Sequence, residues 1–422
     1  MILTVCLLAT GPSAAASVRA PLEPAHAADE VRTETGAEPA PVETPEADAP
    51  VHGLTGDWGG WRTRLEERGI TFTGSIVFDA HRIASGGVER ESLGHTLFDA
   101  SLAFDLDVLF GLHDAVLVAD AYIVHGRNAS DSAGDFQSFS NISTDNVEQL
   151  AQLYYEQYFH DQTWRVKLGK ADANTDFGAP DSGGEFIHSA SAFSPTTFTL
   201  ATYPNPATAV IAFWQPNESW YVGAGAYDGA ANAGVATGSN GPSTFFGAPQ
   251  DLFYVAKCGY RWTRGADELA GRASFGLWHH SGEFARFTGG NEHGTDGVYG
   301  LFDQELARYA TDAEPNTLAG FVQFGLADGD VATADVHVGA GITRSGFGAR
   351  ADDGCGAYVS WVHFSDDAGL GDSSETACEL YYKRQIAPWL VLKPDIQYIA
   401  NPGGDSALDD AIVLSLRAQL DF

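Results

Sequence analysis

Asp172-x-Asn174-x-Asp176 spaces three oxygen donors as the opening of a calcium loop does. The rest of that loop is missing. Phe177 stands where the sixth-position glycine belongs, and Gly183 stands where the closing glutamate belongs. No metal site is expected from it. Thirteen histidines form no HExxH pair, and in an extended segment His279 and His280 point to opposite faces. No GxSxG elbow, Walker-type phosphate loop or CxxC pair occurs. The expectation is therefore no enzyme, no catalytic residue and no cofactor. The side chains that remain can offer hydrogen bonds and charge.

The elements that would carry them are strands. From Ala411 to Phe422, even positions are apolar (Ile412, Leu414, Leu416, Ala418, Leu420, Phe422), while Ala411, Val413, Ser415, Arg417, Gln419 and Asp421 hold the mostly polar odd ones. Successive strand residues face opposite sides, so this segment has one oily wall and one wet wall. Its aromatic end resembles the closing strand of a bacterial outer-membrane barrel. Residues 97–108 repeat the pattern, with Asp99, Ser101, Asp105 and Asp107 on one parity. Aspartates in a row need water on their side. Further period-two stretches lie near 71–79, 115–124, 150–159, 163–170, 208–215, 218–227, 251–262 and 271–281. The rest lie near 297–307, 317–327, 333–343, 356–364, 376–386 and 389–399. With 97–108 and 411–422 they make about sixteen. Tight connections (111–114, 216–217) alternate with long ones (125–148, 171–207, 228–249, 282–296). The fold class expected is all-β: a transmembrane antiparallel β-barrel of about 16 strands with a short N-terminal helix.

Composition agrees. The 422 residues include 48 Gly and 12% aromatics, and no apolar run after the N-terminus is long enough for a spanning helix. A net charge of −33 argues against nucleic-acid binding, which needs a basic face. Cys6 falls in the expected leader, and Cys258, Cys355 and Cys378 make no disulfide framework. Cys258 and Cys378 have apolar parity and are expected as small buried hydrophobes.

Four regions follow. Residues 1–27 read as a secretory leader, cleaved after Ala14–Ala16 or after Ala25-His26-Ala27. Residues 28–53 are an acidic Pro/Ala/Glu linker with too little apolar content to fold. Residues 54–69 are a short helix, capped by Asp57, ended by Gly69, with Trp58, Trp61 and Leu65 on one packing face. Residues 70–422 are the barrel. Inward parity goes to Arg165, Lys167, Lys257, Arg261, Asp335, His337, Glu379, Lys383, Lys393, Asp395 and Gln397. Trp164, Trp220, Tyr254, Tyr260, Trp262, Tyr382, Trp389 and Tyr398 are expected as interfacial girdles.

Several stretches resemble the carbohydrate-selective porins of the OprB family. They are Gly56-Asp57-Trp58-Gly59-Gly60-x-Arg62, Tyr155-Glu156-Gln157-Tyr158-Phe159 and Lys167-Leu168-Gly169-Lys170-x-Asp172-x-Asn174-x-Asp176-Phe177. Near the end come Ala387-Pro388-Trp389 and Lys393-Pro394-Asp395-Ile396-Gln397-Tyr398-Ile399-x-Asn401-Pro402-Gly403-Gly404. The resemblance spans about 54–422. It implies a sixteen-stranded, water-filled channel in the bacterial outer membrane for passive diffusion of small neutral sugars. Lipid would surround it, and a homotrimer is an assembly common among large porins. The alternatives are a lipase- or protease-type barrel enzyme and an anion-selective porin.

The resemblance also implies a long loop folded inward to narrow the pore, and 171–207 is the candidate. The constriction residues expected are Arg127, Glu156, Arg165, Lys167, Lys170, Asp172, Asn174, Asp176, Glu185 and Phe193. They would form opposed acidic and basic rows, because sugar hydroxyls both donate and accept. The loop has no tryptophan, so phenylalanine faces would have to serve the sugar ring.

Overall fold

A computed structural model describes residues 53–309, 316–347 and 350–422. The expected leader, and the expected linker apart from Gly53, lie outside the described residues. The chain enters through helix α1 (Trp61–Glu66). The strands are β1 Ile70–Ser85, β2 Ser92–Asp105, β3 Ala115–His125, β4 Val147–Phe159, β5 Trp164–Ala171, β6 Ala207–Trp214, β7 Trp220–Asp228 and β8 Leu252–Arg264. They continue as β9 Leu269–Ala285, β10 Asn291–Tyr309, β11 Asn316–Ala327, β12 Ala334–Phe347, β13 Arg350–Phe364, β14 Ser374–Ala387, β15 Leu390–Ala400 and β16 Ala411–Asp421. Each pairs antiparallel with the next, and β16 returns to β1 from Ser75↔Asp421 to Ser85↔Ile412. The closed ring leaves no sheet edge unpaired, the condition a sheet must meet in lipid.

The burial pattern inverts that of a soluble protein. On β16 the exposed positions are Ile412, Leu414 and Leu416, whereas Ser415 and Arg417 are buried. The same holds for Val322 and Phe324 against Gln323, and for Ile396 and Tyr398 against Gln397. An oily outside and a polar inside are the pattern of a membrane-spanning barrel. Trp164 stacks on Trp214, and Trp220 lies 4.8 Å from Tyr260, so aromatic pairs band the outer wall at the short-turn end. Cys258 and Cys378 are exposed on this outer face, not buried as expected. Apolar parity in a barrel faces outward, and a thiol is apolar enough to sit among the other outward side chains.

Three local expectations change. Residues 106–110 are helix α2 (Leu106–Phe110) instead of strand, because Asp105 Oδ1 accepts from Asp107 N and Val108 N and so starts a helix. The long loop expected at 282–296 shrinks to 286–290, because Ala285 pairs with Asn291 and the strands run on past the barrel rim. In α1 the buried residue is Arg62, whose guanidinium lies over Trp58 and Phe72 and donates to Phe72 O. Trp58 and Trp61 are exposed instead of forming a packing face.

The core lies inside the loop end of the cylinder. The 172–206 loop brings Phe177, Phe193 and Leu200 against Tyr227, Phe253 and Trp278 of the wall. The 126–146 loop also turns in. Phe136 N and Gln137 N donate to the Glu375 carboxylate, and Asn141 N donates to Ile187 O.

Candidate functional site

The 172–206 loop begins by closing on itself. Asp172 Oδ1 accepts from Asn174 N and Thr175 N, starting the short helix α3 (Ala173–Phe177). Its other oxygen accepts from Thr202 Oγ1 (2.8 Å) and Tyr203 N (3.0 Å), thirty residues later. The residue that suggested a calcium loop is thus the clasp at the neck of this one.

Beyond the neck, three carboxylates meet three parts of the wall. Asp176 reaches Arg165 (2.5 Å) and Lys167 (3.0 Å) on β5, while Lys257 of β8 donates to its carbonyl (2.5 Å). Asp181 pairs with Arg272 of β9 (2.9 Å), which also holds Asp303 of β10 (2.9 Å). Glu185 lies between Lys383 of β14 (2.8 Å) and Lys393 of β15 (3.1 Å). The strand order places β5 and β14–β15 far apart around the ring, so the loop crosses the lumen. It then returns along the wall. Ile187 N and His188 N donate to Glu379, and His337 bonds Ser194 Oγ (3.0 Å).

Burial opposes ionisation of Asp176, yet Lys167 and Arg165 outweigh it and hold the carboxyl far below the usual carboxylate range. Glu185 is likewise opposed by burial but brought down to about 2 by Lys393 and Lys383. Burial alone lowers His188 to about 3, so it is neutral where it sits.

A lumenal cavity of about 1970 Å³ remains. Glu156, Arg165, Lys167, Asp172, Asn174, Asp176 and Glu185 line it. The opposed rows expected of them are instead direct ion pairs, since Glu156 also lies 3.5 Å from Lys167. Arg127 is a correction: it is half exposed on the outer rim and pairs with Glu91 (2.5 Å), away from the lumen. Lys170 donates to Leu150 O and Gly238 O, tying the 229–251 connection to the wall. Phe193 is 3% exposed in the loop's own core, and Phe177 and Phe186 are buried too, so none of the three offers a ring face to a solute.

The sequence reading missed the Arg272–Asp303 pair, the bidentate Arg417–Asp79 pair (2.8 Å for both contacts) and Asp120. Strand parity places all five side chains inward, but not which opposite charge each meets.

The comparisons with known proteins agree with this geometry. The family model described as "Carbohydrate-selective porin, OprB family" matches residues 92–422. Porin B of Pseudomonas aeruginosa is 24% identical over 433 residues, covering 87% of this chain and 91% of that protein. The putative porin QuiX of Acinetobacter baylyi is 24% identical over 432 residues, covering 87% and 93%. Among solved structures, the high-pH structure of Pseudomonas putida OprB superposes with a TM-score of 0.79 at 21% identity, over 88% of this chain and 98% of that one. These relatives are channels and not hydrolases. A closed barrel with an oily exterior, a hydrated interior and this family match make the chain a bacterial outer-membrane porin, and it belongs to the carbohydrate-selective porin, OprB family.

Proposed function

We propose that small neutral sugars cross this barrel through the passage left between the 172–206 loop and the β1–β5 wall. Glu156, Arg165, Lys167, Asp172, Asn174, Asp176 and Glu185 would form its polar lining. The observation that carries this reading is the pairing of wall cations with loop carboxylates. Arg165 and Lys167 share Asp176, Arg272 has Asp181, and Lys383 and Lys393 share Glu185. A cation held by a protein carboxylate still donates hydrogen bonds, but it has lost most of its pull on a permeating anion. Such a surface suits hydroxyl groups, which take many weak bonds and release them. The anion-selective alternative needs unpaired cations, and this pairing counts against it.

Swelling of proteoliposomes tests the reading. Glucose should enter quickly and glucuronate, of nearly the same size, several-fold more slowly. Equal rates, or faster glucuronate, would contradict it. The homotrimer is likewise a proposal, and sedimentation in detergent counts the barrels per particle.

A further inference from the structure

Residues 138–142, in the 126–146 loop, run between the seam where β16 closes on β1 and the tip of the 172–206 loop. Three strands hold them on the wall side. Gln397 of β15 donates to Phe139 O (2.8 Å), Arg417 of β16 donates to Asn141 Oδ1 (2.7 Å), and Ser140 Oγ donates to Asp79 of β1 (3.3 Å). The Phe139 ring stands edge-on to His81 of β1 at 5.1 Å. On the other side the segment pairs with the long loop. Asn141 N donates to Ile187 O (2.8 Å), and Ser189 N donates to Ser138 O (2.9 Å). Phe139, Ser140 and Asn141 are fully buried, while Ile142 lines the cavity. At this level the sector of the lumen beside the seam is therefore filled.

Asn141 is the joint between wall and loop. Its Oδ1 takes Arg417, whose guanidinium also grips both oxygens of Asp79. Its Nδ2 donates to Phe186 O (3.3 Å). Glu185, one residue earlier, is the carboxylate that Lys383 and Lys393 hold. The loop tip is thus fixed twice, by lysines on its acidic side chain and by Asn141 on its backbone. An amide can accept from a guanidinium and donate to a carbonyl at once. A leucine of similar size does neither and leaves buried polar groups unmet.

We infer that residues 138–142 form a second wall of the constriction, and that Asn141 is the positioning residue that fixes this wall to the tip of the 172–206 loop. Two locked loops then set the size limit for sugars. This rests on the sugar-channel reading above and names what fixes the width of its passage. Asn141 touches no solute; it acts through Ile142 and Glu185, which line the cavity.

Proteoliposome swelling with glucose and with raffinose, a neutral trisaccharide, provides the test. In the unaltered protein raffinose should enter many-fold more slowly than glucose. Asn141→Leu leaves the Arg417–Asp79 pair in place but frees the segment from the tip. The passage should widen into the seam sector, so the raffinose-to-glucose ratio should rise several-fold while glucose entry changes little. A merely structural role would lower the heat resistance of the barrel and leave the ratio unmoved. An unmoved or lower ratio in the folded variant, or equal entry of the two sugars in the unaltered protein, overturns the inference while normal glucose entry leaves the channel reading standing. Exclusion of glucose by the folded, unaltered barrel overturns the channel reading, and the inference with it. Should Asn141→Leu fail to fold, Gln397→Leu decides, since it removes the bond to Phe139 O from the wall side. It must raise the same ratio, and no rise rejects the second wall.

Discussion

The Asp176 carboxylate lies 3.0 Å from the Lys167 ammonium, with its second oxygen 2.5 Å from Arg165. Together with Glu156, 3.7 Å from Arg165 and 3.5 Å from Lys167, this loop residue balances two inward cations of the strand that leads into the loop. Asp176 and Lys167 are both nearly enclosed. Removing one partner from such a pair leaves a buried charge alone and costs roughly 3–5 kcal/mol.

Asp176→Asn should therefore release the loop near β5 and unmask Arg165 and Lys167. In a salt gradient the reversal potential should move toward anion selectivity, and single-channel current should become noisier. An unchanged reversal potential would mean that the pair does not face the conducting path.

Acid should weaken the same anchors only far below neutrality. Asp176 and Glu185 both ionise more readily in the folded protein than in free peptides, despite burial, because lysines and arginine hold them. A lowered carboxylate contributes stability that is complete above its ordinary value and fades as the pH falls through the lowered one. For Glu185 that window runs from the ordinary 4.5 down to about 2. Hydrogen exchange of residues 172–206 should thus be protected, after correction for intrinsic rates, from about pH 8 to about pH 5 and lose protection below about pH 4. Loss between about pH 7 and pH 5 would contradict the assignment of these two groups as the anchors.

Asp135, in the 126–146 loop, has the opposite sign. Burial pushes its carboxyl up, and Glu375 is close enough to feel its charge. A raised carboxyl contributes stability when protonated, complete below its ordinary value of 3.8 and lost as the pH rises through the raised one. Asp135→Asn should accordingly raise the melting temperature by roughly 2 °C at about pH 8 and by much less at about pH 4. Thermal scans in detergent at the two pH values check it.

Gly169 lies between Lys167 and Lys170 on β5 with φ +128°, and a Cβ there would stand 2.3 Å from Leu153 O. Gly169→Ala must distort the β4–β5 pairing, at a cost of roughly 1–3 kcal/mol for the backbone alone. The variant should lose its compact, heat-resistant mobility on gels at a lower temperature than the parent.

The wall of the barrel was legible in the sequence because strand parity is local. Ile412 to Leu416 show their faces without reference to any distant residue, and each of the sixteen expected stretches overlaps one strand. Parity failed at Leu106 and Val108, where an aspartate cap turned an alternating stretch into a helix. The interior was less legible because its partners are remote. Glu185 meets Lys383 and Lys393, 198 and 208 residues away. Alternation tells that a lysine points inward, but not which loop carboxylate reaches it. Arg127 had the type and position of a lumen residue, yet a nearby Glu91 holds it at the rim.

Planar-bilayer conductance under glucose titration tests the central claim most directly. The refolded barrel should give steady channels with little preference for anions, and glucose should reduce their current progressively and reversibly. Folded barrels that open no channels, or that open strongly anion-selective channels indifferent to glucose, would contradict it.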